Sequence, residues 1–304
     1  MFRTTLVATA LGAAALSAQS GSRASRGQDD LFRIDTTVAF DKRGGVSLTL
    51  SSGEIIRRAW NRDEVRVRAH SERNTIRMEA TASRLTLDLS RPRYGDTRYE
   101  VMVPAGVRVN ARATQGDIAV NGTKGGIDVY SQNGDITIED VSELVEAGTL
   151  SGDIAVKGVT GRVSVRTTSG EVGVTDVKGD VEVTSVSGDV VLRNIAARNV
   201  RGKSTSGDIS FEGVVDSTGW YDLGSHSGTV YVVIPPGTGA QLTVATYTGS
   251  IDSEFPITLR PGEHGIGASK RITFDIGKGD ARINAESFSG DVIIRTRART
   301  PRDR

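Results

Sequence analysis

A glycine returns every eighteen residues through the middle of this chain, at Gly116, Gly134, Gly152, Gly170 and Gly188, and a looser series continues through Gly207, Gly228, Gly249 and Gly290. Around several of them stands the same short sequence, Ser-Gly-Asp followed by Val or Ile, as in Ser151-Gly152-Asp153-Ile154. A fixed period of this length marks supersecondary units stacked on one another, each too small to bury its own apolar face. The period constrains the architecture before any single residue is interpreted.

The content of one unit shows what is being stacked. From Ser169 to Val186 the apolar residues Val172, Val174, Val177, Val181 and Val183 fall in two half-units of nine. The same pairs recur as Ile118 and Val120, Ile127 and Val129, Ile136 and Ile138, Ile154 and Val156, Val163 and Val165, Val190 and Leu192, and Ile209 and Phe211. Apolar residues separated by one polar position have the period of a half-buried strand. A further apolar residue at Val141, Val159, Val177 and Ile195 is placed to pack at a turn. With 36 glycines against 7 prolines in 304 residues, the composition suits a turn-dense all-β protein.

An antiparallel meander or sandwich of nine-residue strands would repeat at the same interval, so the turns have to discriminate. Two-residue hairpins favour Asn-Gly or Asp-Gly, whereas here the glycine precedes the carboxylate. The position three before each glycine is always small: Ala113, Ser131, Thr149, Thr167, Ser185, Ser204, Ser225, Thr246 and Ser287. The position one before is always polar: Gln115, Asn133, Ser151, Ser169, Ser187, Ser206, Ser227, Thr248 and Ser289. Such columns arise naturally where equivalent positions lie directly above one another. The expected fold is therefore all-β, a parallel β-solenoid (β-helix-like) of about 18-residue coils, with an N-terminal β capping region. Nine or so coils spaced by about 4.8 Å would make a rod about 45 Å long.

The rest of the chain divides around this array. Arg3, the apolar run Leu6 to Leu16 and the small residues near Ser17 and Ala18 form a signal peptide over 1–18; an uncleaved anchor is the alternative. Residues 19–30 have linker composition, 31–110 alternate less regularly as the N-terminal β region, and 111–296 hold the repeats. Residues 297–304, with Arg297, Arg299, Arg302 and Arg304, form a basic disordered tail. Zero cysteines exclude disulfides and lipidation at a processed cysteine. The near balance of 38 basic and 37 acidic residues gives no field to attract nucleic acid. The expected location is secreted, periplasmic or at the cell surface, with no integral membrane span after signal cleavage.

Several constellations invite a chemical reading. Asp117, Asp135, Asp153, Glu171, Asp189, Asp208 and Asp291 form a carboxylate column after the glycine. Stacking would bring neighbours to about 5 Å and alternates to about 10 Å, near the separations of glycosidase carboxylates. Any repeat produces such distances, and a short Asp beside Gly ordinarily bonds the turn backbone. The Gly-Gly-x-Gly-x-Asp pattern of calcium β-rolls is absent. His70, His226 and His264 lack metal-ligand spacing. Ser225, His226 and Ser227 are adjacent on one strand and point to opposite faces. No catalytic residue, metal or cofactor is therefore expected. The segment 255–270, with Arg260, Glu263, His264 and Lys270, is where a groove-forming enzyme would show itself. The remaining feature is an outward column, two before the glycine, that turns aromatic: Thr205, His226, Tyr247 and Phe288, with Trp220 and Tyr221 nearby. Exposed aromatics can anchor a protein partner or stack on sugars; the alternative is packing beneath the longer loops 212–224 and 255–270.

The repeated Ser-Gly-Asp-Val or Ile, and Val103-Pro104 leading through Val107 and Val109 to Gly116-Asp117-Ile118, resemble the bacterial "putative adhesin" family of β-strand-repeat proteins. Ile55, Trp60, Asp63, Val65 and Val67, and later Val233-Ile234-Pro235-Pro236, resemble it too. The resemblance implies a secreted or envelope-associated β-solenoid with no established catalytic residues. The expected function is thus a non-catalytic interaction scaffold for an envelope protein or glycan. A β-helix enzyme acting on polysaccharide and a periplasmic sensor module are the alternatives.

Overall fold

The computed structural model describes residues 32–90, 95–256 and 270–297. The expected signal and linker, the loop residues Arg260, Glu263 and His264, and the tail arginines Arg299, Arg302 and Arg304 lie outside the described residues.

All regular structure among the described residues is β-strand, from Arg33–Ala39 to Val292–Thr296. Through the regular repeats the pairing is parallel and the register is eighteen residues. Val163–Ser169 lies between Val145–Ser151 and Val181–Ser187 in one row, with Val165 opposite Ala147 and Val183. Val172–Lys178 lies between Ile154–Thr160 and Val190–Ser206 in a second row, with Val174 opposite Val156 and Leu192. Each period therefore adds one strand to each row, and the inward Val, Ile and Leu of both rows merge into one continuous core. The apolar turn residues Val141, Val159, Val177 and Ile195 are all buried in it.

Two columns of special backbone make the corners. At Gly152 the φ angle is +136°, and a Cβ would stand 2.3 Å from the carbonyl oxygen of Gly134 one period below. Conformation and clearance both exclude a side chain there. At the other corner Gly122, Asp140, Gly158, Asp176 and Asn194 all have positive φ, between 52° and 73°. These residue types tolerate the left-handed region, Asp and Asn through their short polar side chains.

The array starts earlier than its sequence period indicates. Gly45–Trp60 runs parallel to Arg108–Thr123 along its length, with Gly53 opposite Gly116, so residues 45–60 are the first level of the stack. Residues 61–107 are inserted between two levels that are neighbours in space, which is why the period is invisible there. The inserted strands Arg84–Ser90 and Thr97–Pro104 cover the outer edge of that first level. Thr75–Ala80, Glu64–Ser71 and Arg33–Ala39 then extend the cover antiparallel. Covering an end in this way removes a row of unpaired backbone groups from solvent.

At the far end spatial order departs from sequence order. Ala281–Ser289 pairs with Ile209–Ser227 on one side and with Ala240–Thr248 on the other. Val292–Thr296 likewise lies between Val230–Ile234 and Ile251–Ser253. The glycine column therefore runs Gly228, Gly290, Gly249, not in sequence order, and Lys270–Ile276 covers the last level antiparallel to Ala240–Thr248. No helix among the described residues is long and apolar enough to cross a membrane.

Candidate interaction surface

The columns with chemical potential are bound into the backbone. Three positions before the glycines, Ser131, Ser225, Ser287 and Thr246 are buried and donate their hydroxyls to the carbonyls of Gly116, Gly207, Gly228 and Gly290 at 2.8–2.9 Å. The hydroxyl thus satisfies the carbonyl that a Cβ would have struck, which explains why the position is small and polar. One position after the glycines, Asp117 Oδ1 accepts from Asp135 N–H, Asp135 from Asp153, and Asp153 from Glu171, each at 2.8 Å. Asp189 and Asp208 accept from Asp208 and Thr229 N–H in the same way, at 2.8 and 2.7 Å. The carboxylates stitch adjacent levels, the turn role that their place beside glycine indicates. Among the described residues no group of three or more His, Asp or Glu is placed to hold a metal ion.

The aromatic column takes a form that sequence order concealed. Because the level of 281–296 is intercalated, Phe288 lies between His226 and Tyr247. The ring centroids are 4.7 Å apart for His226 and Phe288 and 4.9 Å for Phe288 and Tyr247, with planes within 10° and 2° of parallel. Phe288 is 48 % and Tyr247 45 % exposed. Stacked in this way the rings spend their faces on one another and offer solvent their edges. Among the described residues, a ring face not stacked on another ring remains only at the ends of the ladder. Exposed Leu150 and Val186 lie lower in the same column. Beside the ladder run the exposed hydroxyls of Ser206, Ser227, Ser289 and Thr248 on one flank. On the other flank the small Gly224 and Ala245 alternate with two charged pairs, Lys203 with Asp222 at 2.5 Å and Arg271 with Glu286 at 2.7 Å.

The other aromatics named with this column stand apart from it. Trp220 is exposed six residues before His226 on the same strand, in register with Asn199 and Arg282. Tyr221 is buried: its hydroxyl donates to Ala197 O at 2.6 Å and accepts from Asp216 N at 2.8 Å, so it anchors the bulge that lengthens this level. Packing beneath a loop thus describes Tyr221; of the loop 255–270 expected near the ladder, residues 257–269 lie outside the described residues.

Electrostatic departures gather at the two ends. Hydrogen bonds from Ser250 hold the Asp291 carboxyl below its usual range, and a bond from Arg295 does the same for Asp252. At the covered end Arg57 occupies a core position in register with Val101 and Val120 and is 0 % exposed. Its guanidinium donates to Asn121 O and Thr123 Oγ1 at 3.1 and 3.2 Å, and burial lowers its pKa to about 10.

Sequence comparison now places the chain. A family model described as Toastrack DUF4097 matches residues 46–295. The chain belongs to the Toastrack family. The match starts within the first level of the stack and stops within its last strand, so the family pattern and the observed array share their limits. No curated protein matches this Toastrack chain in sequence. Among similar solved structures, a "putative cell adhesion protein" from Clostridium sporogenes is 11% identical, with 87% of this chain and 100% of that one covered, at a TM-score of 0.25. A "putative adhesin" from Bacteroides fragilis is 11% identical, with coverage of 87% and 97% and a TM-score of 0.43. A "putative lipid binding protein" from Parabacteroides distasonis is 10% identical, with coverage of 88% and 97% and a TM-score of 0.36.

Proposed function

We propose that this Toastrack chain is a non-catalytic parallel β-solenoid that serves as an interaction scaffold, secreted or held at the cell envelope. The observation that carries this reading is the fate of the hydroxyl and carboxylate columns. Side chains that a hydrolase would aim at substrate are spent here on the backbone of the next level. What varies from level to level is the outward-facing set, and its most distinctive member is the ladder His226, Phe288 and Tyr247. The parallel register of eighteen supports the solenoid reading, and the apolar segment at Leu6–Leu16 supports export. The ladder would meet its partner, an envelope protein or glycan, through its ring edges, with the flanking hydroxyls as hydrogen-bonding groups.

Immobilised protein lacking residues 1–18 tests this against envelope fractions and a glycan array, with and without calcium. Wild type is expected to retain an envelope component, and Phe288→Ala combined with Tyr247→Ala to lose most of that retention while keeping its β-sheet circular dichroism. Equal retention by the double variant would remove the ladder from the proposal. Retention of nothing would remove the scaffold, and turnover of any polysaccharide would replace it with an enzyme.

A further inference from the structure

Two glycines on the outward face of the first row, Gly148 and Gly224, leave notches that are filled in different ways. Both hold the same place in their level, four residues before the corner glycines Gly152 and Gly228. Neither has the positive φ found at the corners, so the backbone does not require glycine at either. What each lacks is a side chain, and the space goes to the residue one level below. A Cβ on Gly224 would stand 2.9 Å from Lys203 Nζ, and that ammonium crosses the glycine to Asp222, which also accepts from Asn284 at 3.1 Å. In the level above, Glu286 is paired with Arg271. These charges are answered within the chain.

At Gly148 the same arrangement is left open. Tyr130 lies one level below and leans over the glycine, whose Cβ would stand 3.2 Å from Tyr130 Cδ2 and 3.7 Å from Cε2. Arg166 lies one level above, and Glu146 holds the place that Asp222 holds beside Gly224. Strand spacing sets Tyr130 and Arg166 about 10 Å apart at their Cα atoms, with the bare glycine between them. Among the described residues the Arg166 guanidinium, the Glu146 carboxylate and the Tyr130 hydroxyl have no hydrogen-bond or ion-pair partner. Together with Arg112 and Asp128, which are paired at 2.6 Å, they line a cleft of about 470 Å³. Clefts that hold small ligands span about 300–1,000 Å³.

We propose that this cleft is a saccharide-binding subsite that takes a short stretch of neutral glycan against Tyr130. The apolar face of a sugar ring packs on an aromatic side chain, and the notch lets it approach over Gly148. Adjacent sugar hydroxyls both donate and accept, so one donates to Glu146 while its neighbour accepts from Arg166. The charges of Arg112, Asp128, Glu146 and Arg166 sum to zero, which suits a ligand without net charge; an anion would meet Glu146 and a cation Arg166. The site is separate from the aromatic ladder. His226 stands four levels higher on the same face, four steps of about 4.8 Å and so about 19 Å away. The subsite therefore goes beyond the reading of the ladder and does not depend on it.

Saturation-transfer NMR and calorimetry on the whole protein test the subsite with neutral trisaccharides of glucose, galactose, mannose and N-acetylglucosamine, and with glycylglycine as a zwitterionic probe. At least one trisaccharide is expected to bind wild type saturably. Arg166→Ala should weaken that binding at least about ten-fold, the loss of one hydrogen bond to a charged group. Gly148→Leu, which fills the notch, should abolish it, and Phe288→Ala combined with Tyr247→Ala should leave it unchanged. Arg166→Ala alters only an exposed, unpaired side chain, so it decides the matter even if Gly148→Leu fails to keep its β-sheet circular dichroism. Failure of every trisaccharide to bind would overturn the proposal, as would binding that Arg166→Ala leaves unchanged or that the ladder variant removes. Preference for glycylglycine over the sugars would overturn it too, by making the cleft a site for peptide termini.

Discussion

Two glycines in one level separate what the repeat requires from what it merely tolerates. Gly170 has φ +128°, and a Cβ on it would stand 2.1 Å from Gly152 O, whereas Gly173 has no atom within 4 Å of such a Cβ. Gly170→Ala is expected to cost at least about 3 kcal/mol, since strain and collision add. Gly173→Ala should be neutral or stabilise by up to about 1 kcal/mol by restricting the unfolded chain. Chemical denaturation of both variants checks the pair, and similar costs for the two would refute the geometry. The same stitching logic identifies two positions where the sequence falls short of its own pattern. Glu171 stands where neighbouring levels have Asp and, unlike Asp117, Asp135 and Asp153, accepts no bond from the level above among the described residues. Ser185 Oγ is buried without a partner. Glu171→Asp should stabilise by about 0.5–1.5 kcal/mol as the bond to Asp189 N–H forms. Ser185→Ala should cost nothing, while Ser225→Ala should lose about 1–2 kcal/mol by stranding Gly207 O. Thermal unfolding of the three variants ranks them, and a loss in Ser185→Ala equal to that in Ser225→Ala would sink the account of the hydroxyl column.

The inserted strands at 61–107 have to end the rod without leaving an open edge, and they do so around one misplaced charge. Arg57 stands where the equivalent positions of higher levels are Val120, Ile138, Val156 and Val174, and its partners are neutral oxygens. Burial lowers its pKa to about 10, so the cost of keeping it charged is present below that pH and is relieved as the pH rises toward its unfolded value, about 12.5. Arg57→Met should therefore raise stability by about 1–3 kcal/mol, as substitution of buried charge by apolar volume commonly does. A destabilised Arg57→Met in urea titration would show instead that the bonds to Asn121 and Thr123 hold the cover in place. This element also shows where a sequence stops being legible. Strand positions, inward residues and both flanking columns followed from the period of eighteen, because each level repeats the same hydrogen-bond problem. The membership of 45–60 did not, since Gly53 lies 63 residues from Gly116 with the cover inserted between. The left-handed corner at Gly122, Asp140, Gly158, Asp176 and Asn194 was visible as Gly, Asp and Asn at fixed spacing, but alternation of residue type hid its common cause. The ladder was legible as residues and illegible as geometry, because a parallel register says which residues share a column and not in what order the levels stack.

At the scale of the whole molecule the two ends are built differently, and their chemistry predicts which yields first to acid. The level of 281–296 is joined to 240–253 by Asp291, which accepts Ser250 N–H and Oγ at 2.7 and 2.9 Å, and by Arg295 on Asp252 at 2.5 Å. Asp216, in the bulge held by Tyr221, accepts from the N–H and hydroxyl of Thr218. These bonds hold all three carboxyls below their ordinary range. A depressed carboxyl stabilises the folded state above its unfolded pKa, about 3.9, and that contribution disappears as the pH falls through the lower folded value. At the covered end the resolved shifts belong to Arg57 and Tyr99, both governed first by burial, and to Arg77, raised by its bond to Glu79, and none of the three changes charge in this range. Acidification from about pH 6 to about pH 3 should therefore loosen residues 240–253 and 281–296 before the levels between 145 and 187. Hydrogen exchange, corrected for the pH dependence of the intrinsic rate, measures this segment by segment. Loss of protection spread evenly along the rod, or beginning at 45–60, would contradict it. Loss confined to the end would mean that the pairing that aligns the ladder is also the part of the stack that its surroundings can most readily open.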